Sequence, residues 1–347
     1  MSYRPVTQIF LLPGLILLAL TGCLQPQPNE VVVYSALDRE FSEPLLKDLE
    51  QELGYTIRPK FDQESNKTVG LANEIIQSRD RPVADIFWNN EILHTLRLQQ
   101  AGLLDVYQSP ELDRFPSSFY SPSGTWSGFA ARARVLIINT DLLPNDQWPS
   151  SIEDLADPKW KGKCAVARPV FGTTATHAAV LIHQLGQAKG QALWTDIANN
   201  AQIVGGNKQV ATKVAAGQFS FGLTDTDDAM IELEKGESVA IVFPDQKPDQ
   251  MGTLVIPNTL ALIKNGPNPV RAKKLIDRLL QADIEQRLAI GASAQLPLGQ
   301  TEPSQTNPWR VLKHSSIGSL TELKIMEVDF EAAAKQWDRS KQFLEKL

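Results

Sequence analysis

Gln218-Phe-Ser-Phe-Gly-Leu-Thr-Asp-Thr-Asp-Asp-Ala-Met-Ile-Glu-Leu-Glu-Lys235 is the passage on which the fold turns. Residues 218–221 alternate apolar and polar as a short buried strand does. Residues 229–235 are helix formers with apolar positions at helical spacing. Between them, residues 222–228 place three carboxylates and two hydroxyls on a strand-to-helix turn. In an open α/β sheet, ligands bind at the carboxyl ends of the strands. Capping of the helix, helped by its dipole, accounts for one or two of these polar residues. Asp225, Asp227 and Asp228 together repel one another and call for a cation or hydrogen-bond donors close by. The turn is a candidate binding site.

Working outward, the chain alternates strands and helices. Residues 30–35 are a β-branched run, and apolar residues at 41, 45, 46, 49 and 53 then follow a helical spacing closed by Gly54. A strand over 55–61, a polar turn over 62–67, a helix over 68–78, a strand over 84–88 and a helix over 92–101 continue the pattern. Such alternation points to a parallel sheet with helices on its faces. Residues 126–139 form one long strand-like run, on which Arg132 and Arg134 share a face.

A second series follows, with helices over 151–156, 173–185, 192–199 and 208–216 and strands over 163–167 and 202–204. It leads into the acidic turn and a strand over 239–243. Residues 252–263 are a second long apolar strand, which returns the chain to the first series. Helices over 269–282 and 284–290 come next, and residues 320–347 hold two amphipathic stretches. Two α/β lobes joined by two crossing strands make a clam shell, with the ligand in the cleft.

Residues 1–22 read as an address. Arg4 precedes an apolar run over 9–20, broken at Pro13 and Gly14. A membrane-spanning helix needs about 20 apolar residues, so the run reads as a secretory signal. Leu20-Thr-Gly-Cys23 resembles a bacterial lipobox, implying cleavage before Cys23 and a lipid on its sulfur. Residues 23–29 are a polar, proline-containing tether. The chain has two cysteines; with Cys23 lipidated, Cys164 is left as a buried, inert thiol in a strand. A net charge of −6 without a basic patch argues against nucleic acid as a partner.

Several quoted stretches together carry a resemblance. They are Val33-Tyr-Ser35, Pro82-Val-Ala-Asp-Ile-Phe87, Ala101-Gly-Leu-Leu104, Gly128-Phe-Ala-Ala-Arg-Ala-Arg-Val135, Asp157-Pro-Lys-Trp-Lys-Gly-Lys163 and Ala215-Ala-Gly-Gln-Phe-Ser-Phe-Gly-Leu223. In this order and spacing the chain resembles, over about residues 30–300, the iron(III)-binding branch of bacterial periplasmic solute-binding proteins, the receptors of ABC importers. The resemblance implies a two-lobed type II periplasmic-binding fold with a central ligand cleft. Lobe 1 would comprise residues 30–130 and 259–300, lobe 2 residues 131–258, and residues 301–347 a helical segment packed on both. Together with the lipobox it implies a monomer, lipid-anchored in the periplasm or on the extracellular face, that docks to a permease and its ATPase.

Members that grip iron use two adjacent tyrosines after the Gly-Leu turn, and the matching positions here are Asp227 and Asp228. Asp38 stands where a His or Tyr often follows the first strand, and Glu91 matches a carboxylate after the Ala-Asp-Ile-Phe strand. A co-bound anion in the family sits at a helix N-terminus, matched by Gly172-Thr-Thr-Ala-Thr176. An arginine that some relatives carry has no counterpart in Gly291-Ala-Ser-Ala-Gln-Leu-Pro297. The resemblance thus implies no resident cofactor, and iron(III) or another metal as cargo on Asp38, Glu91, Asp227 and Asp228.

Ser35, Trp88, Asn89, Thr173, Thr174 and Asp225 complete the expected ligand shell. Carboxylate oxygens suit Mg, Ca or Mn as well as ferric iron. Carboxylates with Trp88 also suit an amine, and an aminophosphonate would join the Asp turn to the helix at Thr173 and Thr174. The histidines at 94, 177, 183 and 314 have no metal-ligand spacing and read as structural. No Gly-x-Ser-x-Gly, His-Glu-x-x-His or P-loop is present, so an enzyme reading rests only on carboxylates, as in a hydrolase.

Overall fold

A computed structural model describes residues 29–62, 69–299 and 322–347. The signal, Cys23, most of the 62–67 turn and most of residues 299–321 lie outside the described residues.

The first series forms β1 (Glu30–Ser35), α1 (Arg39–Leu53), β2 (Thr56–Phe61), α2 (Val69–Gln77), β3 (Ile86–Asn89) and α3 (Leu93–Gln100). β1 pairs in parallel with both β2 and β3, as the alternation predicts. After several short 3-10 turns comes β4 (Ser127–Asn139), buried at every residue. The second series is β5 (Cys164–Ala167), α4 (Gly172–Leu185), α5 (Gln187–Asn200), β6 (Gln202–Val204), α6 (Asn207–Ala215), β7 (Phe221–Asp225), α7 (Thr226–Glu234) and β8 (Val239–Val242). β9 (Val255–Leu262), α8 (Pro269–Leu279), α9 (Ala282–Ile290), α10 (Phe330–Lys335) and α11 (Trp337–Leu344) complete the described chain.

The strand order is β2-β1-β3-β9-β4-β7-β5-β6, with β8 added on β4. β9 pairs antiparallel with β3 and with the first half of β4, while the second half of β4 pairs with β7 and β8. The two apolar runs therefore cross between lobes. Their register shifts between Phe129 and Arg132, where Ala130 takes φ 40° and Ala131 exchanges backbone hydrogen bonds with Leu296. A bulge of this kind bends and re-aims a strand, and here it separates the part of β4 in each lobe. α10 packs on α3 and α4, with Gln99 donating to Glu331 at 3.0 Å.

Three details differ from the sequence pattern. The strand expected at 218–221 starts at Phe221 and runs through Asp225, so most of the expected turn is strand and α7 begins at Thr226. Gly222 fits there because α6 presses on it: an added Cβ would lie 2.4 Å from Val210 Cγ1 and 2.8 Å from the Ala165 carbonyl oxygen. Residues 152–156 are a single 3-10 turn, capped by Ser151, rather than an α-helix. α5 starts at Gln187, immediately after Gly186, whose φ of 78° ends α4.

Candidate functional site

A cleft of about 1100 Å³ opens between the lobes at the carboxyl ends of the parallel strands. One wall is the β1–α1 turn from Ser35 to Asp38, the end of β2 at Phe61 and Asp62, and Asn90 just beyond β3. Facing it are Arg132 of β4, the start of α4 at residues 171–174, the start of α6 at Gly205–Asn207, and Asp225, Asp227 and Asp228 around the start of α7. The N-termini of α1, α4, α6 and α7 thus all adjoin the cleft, and none carries a side-chain cap hydrogen bond.

Asp225 and Arg134 sit opposite each other on the β7–β4 ladder. Their side chains pair at 2.6 Å, with Arg134 fully buried. Thr173 donates to the other carboxylate oxygen at 2.6 Å and Asn207 at 2.9 Å. Arg134 and Asn207 also donate to the Thr173 oxygen, at 3.1 and 2.7 Å. Thr174 accepts from Arg134 at 3.2 Å and donates to Asn207 Oδ1 at 3.0 Å.

Two residues along β4, Arg132 reaches into the cleft and pairs with Asp227 at 3.0 Å. Burial works against the charge on Arg132, but Asp227, Asp225, Asp38 and Asp228 outweigh it and hold its pKa above the ordinary value. Because Asp38 belongs to the opposite lobe, this guanidinium joins the electrostatics of both walls. One oxygen of each of Asp225, Asp227 and Asp228 lies within 4.8 Å of the others. That spacing lets carboxylates share a hard cation.

A model of the bacterial extracellular solute-binding proteins matches residues 82–312. The chain belongs to this family.

Among its relatives, the iron uptake protein A2 of Synechocystis is 31% identical over 210 residues, which are 56% of this chain and 59% of the relative. Iron uptake protein A1 of the same organism is 26% identical over 280 residues, covering 76% of this chain and 74% of the relative. The ferric binding protein from Campylobacter jejuni superposes with a TM-score of 0.79 at 22% identity, covering 91% of this chain and 98% of that one. That likeness is one of fold: a two-lobed α/β binding protein.

In this solute-binding protein, Ser35, Asp38, Thr173, Thr174, Asp225, Asp227 and Asp228 all line the cleft. Trp88, Asn89 and Glu91 do not. Trp88 is fully buried and packs on Phe129 with ring centroids 5.5 Å apart. Asn89 is spent on Glu91 and Thr95. Glu91 accepts from Leu93 N at 2.5 Å, His94 N at 3.0 Å, Asn89 at 3.0 Å and Thr176 at 2.8 Å. Those bonds cap α3 and tie it to α4, which removes Glu91 from the expected metal set.

The expectation that Thr173 and Thr174 receive an anion also meets an obstacle. A hydroxyl has one hydrogen to donate, and both are given to groups of the chain. His94 and His177 are buried outside the cleft lining, consistent with their structural reading.

Asn90, Arg132, Asn207, Lys208 and Gln209 also line the cleft, and none of them is among the site residues expected from the sequence. Asn90 is 3% exposed, and its Oδ1 has no hydrogen-bond partner among the described residues. Gly205-Gly-Asn207 at a helix start was the available signal for the α6 wall, since backbone without side chains lets a ligand approach closely.

Proposed function

We propose that this solute-binding protein is the receptor of an ABC importer whose cargo is a metal cation held by carboxylate oxygens, with iron(III) the first candidate. The carrying observation is the clustering of Asp227 and Asp228 at the start of α7, with Asp38 close enough across the cleft to act on the same guanidinium. Hard oxygen donors suit a hard cation, and the relatives named as iron uptake proteins make iron the first to test. In this reading the lobes close on the cargo, the protein performs no covalent chemistry, and a permease with its ATPase takes the cargo up. Lipid on Cys23 holds the receptor at the membrane on the periplasmic or extracellular side.

A second reading, a small organic solute with an amine end, is favoured by the size of the cleft and by Phe61 and Phe171 on its opposite walls. Thermal unfolding of the protein lacking residues 1–22 separates the two, since a ligand of the folded state alone raises the melting temperature. Ferric citrate, Mn, Ca, putrescine and 2-aminoethylphosphonate form the panel. A rise with a metal that disappears in Asp228→Ala supports the metal reading. A rise only with an amine transfers support to the organic solute, and no rise with any metal ends the first reading.

A further inference from the structure

On the lobe 2 wall of the cleft, the buried carboxylate of Asp225 is ringed by hydrogen-bond donors. Three donors converge on the Asp225 oxygens: Arg134 and Thr173 at 2.6 Å each and Asn207 at 2.9 Å. They come from three separate elements, β4, α4 and α6, and the last two present their N-termini. Uncapped helix starts joined to a guanidinium are an arrangement that holds oxyanions. Asp225 is 2% exposed and Arg134 0%, so the interaction is largely shielded from water. A second tier fixes the donors: Thr174 bridges Arg134 and Asn207, and Thr224 donates to the Asn207 carbonyl at 3.0 Å.

We propose that Asp225 is a built-in anion, standing where a small oxyanion accompanying the cargo would otherwise sit. A free phosphate or carbonate at this wall would approach a buried carboxylate of the same sign, with the nearby hydroxyl hydrogens already committed. Like charges at short range in a site of low polarity repel strongly. The cleft therefore admits a cation without a small oxyanion at this wall, and Asp225 sets that specificity. The statement about cargo rests on the metal-receptor reading, whereas the filling of the pocket does not.

The pocket is tested on metal-free protein. Wild type should melt at the same temperature in formate, phosphate or bicarbonate as in chloride at equal ionic strength. Asp225→Gly removes the carboxylate and leaves Arg134, Thr173 and Asn207 around a vacated space. Its melting temperature in chloride should fall, and about 20 mM formate or phosphate should restore about 5 °C of it in a saturable manner. Asp225→Ala, which also removes the carboxylate but keeps a strand-compatible Cβ, is the fallback if the glycine variant does not fold, and it should also gain anion-dependent stability.

The proposal is overturned if wild type is stabilised by phosphate or bicarbonate and Asn207→Ala removes the effect. It is equally overturned if a folded Asp225 variant shows no anion response. A parallel titration of wild type with Mn and ferric nitrilotriacetate, with and without phosphate, reads the cargo statement. Affinity independent of phosphate supports it, and a phosphate requirement overturns it. Failure of every metal to bind would end the receptor reading for metals while leaving the anion results to stand.

Discussion

The Arg132 guanidinium lies 3.0 Å from the Asp227 carboxylate, with both side chains buried at the boundary between the lobes. The pair places a positive charge among the acids that would meet a cationic cargo. Truncating one member of a buried ion pair costs about 3–5 kcal/mol, because the other is left uncompensated.

Arg132→Met should therefore lower stability by about 3 kcal/mol while strengthening the attraction of the cleft for cations. A unit charge removed from within a few ångströms of the cargo should tighten metal binding at least about tenfold. Denaturant unfolding and metal titration on the same preparation check the two opposed effects. Unchanged metal affinity would mean that the cargo does not meet this acidic cluster.

Glu91 links α3 to α4: its carboxylate takes two backbone N–H groups of α3 and the Thr176 hydroxyl of α4. Glu91→Gln should cost about 1–3 kcal/mol through the weakened cap and bridge. Cargo affinity should stay within about threefold of wild type, since each of its contacts is within the chain. A collapse of affinity with stability intact would return Glu91 to the ligand set.

The crossing strands β4 and β9 were legible because both are long, mostly apolar runs, and every residue of each is buried. The helical and strand periodicities of the two series were legible for the same local reason. β7 was misplaced because Gly222, Thr224 and Asp225 are turn formers in isolation. In the fold Gly222 is required by Val210 of α6, and Asp225 is drawn into the ladder by Arg134 on the neighbouring strand. Neither partner is near in sequence.

The site was half legible. Residues that follow strands were sought, and a strand end does not reveal which side chain turns to the cleft. Trp88 and Glu91 turned into the interior, whereas Asn90 lines the cleft. The different fates of Arg132 and Arg134 depend on neighbours that a two-residue spacing cannot show.

Gly222→Ala tests that account of β7. Its new methyl group would fall 2.4 Å from Val210 Cγ1 and 2.8 Å from the Ala165 carbonyl oxygen, so a strand or α6 must shift. Overpacking of this kind costs about 1–3 kcal/mol. Val210→Ala in the same chain should recover part of the loss, because it removes the nearest atom. Melting temperatures of the two single variants and the double variant decide the matter, and strict additivity would count against the contact.

His94 and His177 are buried, and burial is the largest influence lowering both pKa values: His94 to about 4, and His177 well below its ordinary value. For His94 the nearby Arg97 and Lys341 reinforce the shift and Glu91 opposes it; for His177 Arg134 reinforces it. Below the unfolded value near 6.5 the unfolded chain binds protons at these positions while the folded chain does not. Stability must then fall as pH drops from 6.5 towards 4, at about 1.4 kcal/mol per pH unit for each histidine. The His94 contribution is complete near its folded pKa and amounts to about 3 kcal/mol. Denaturant unfolding across this range should show proton uptake on unfolding, and His94→Gln should reduce that uptake by one proton whatever its effect on absolute stability. An unchanged slope in the variant would mean that His94 titrates normally in the folded protein.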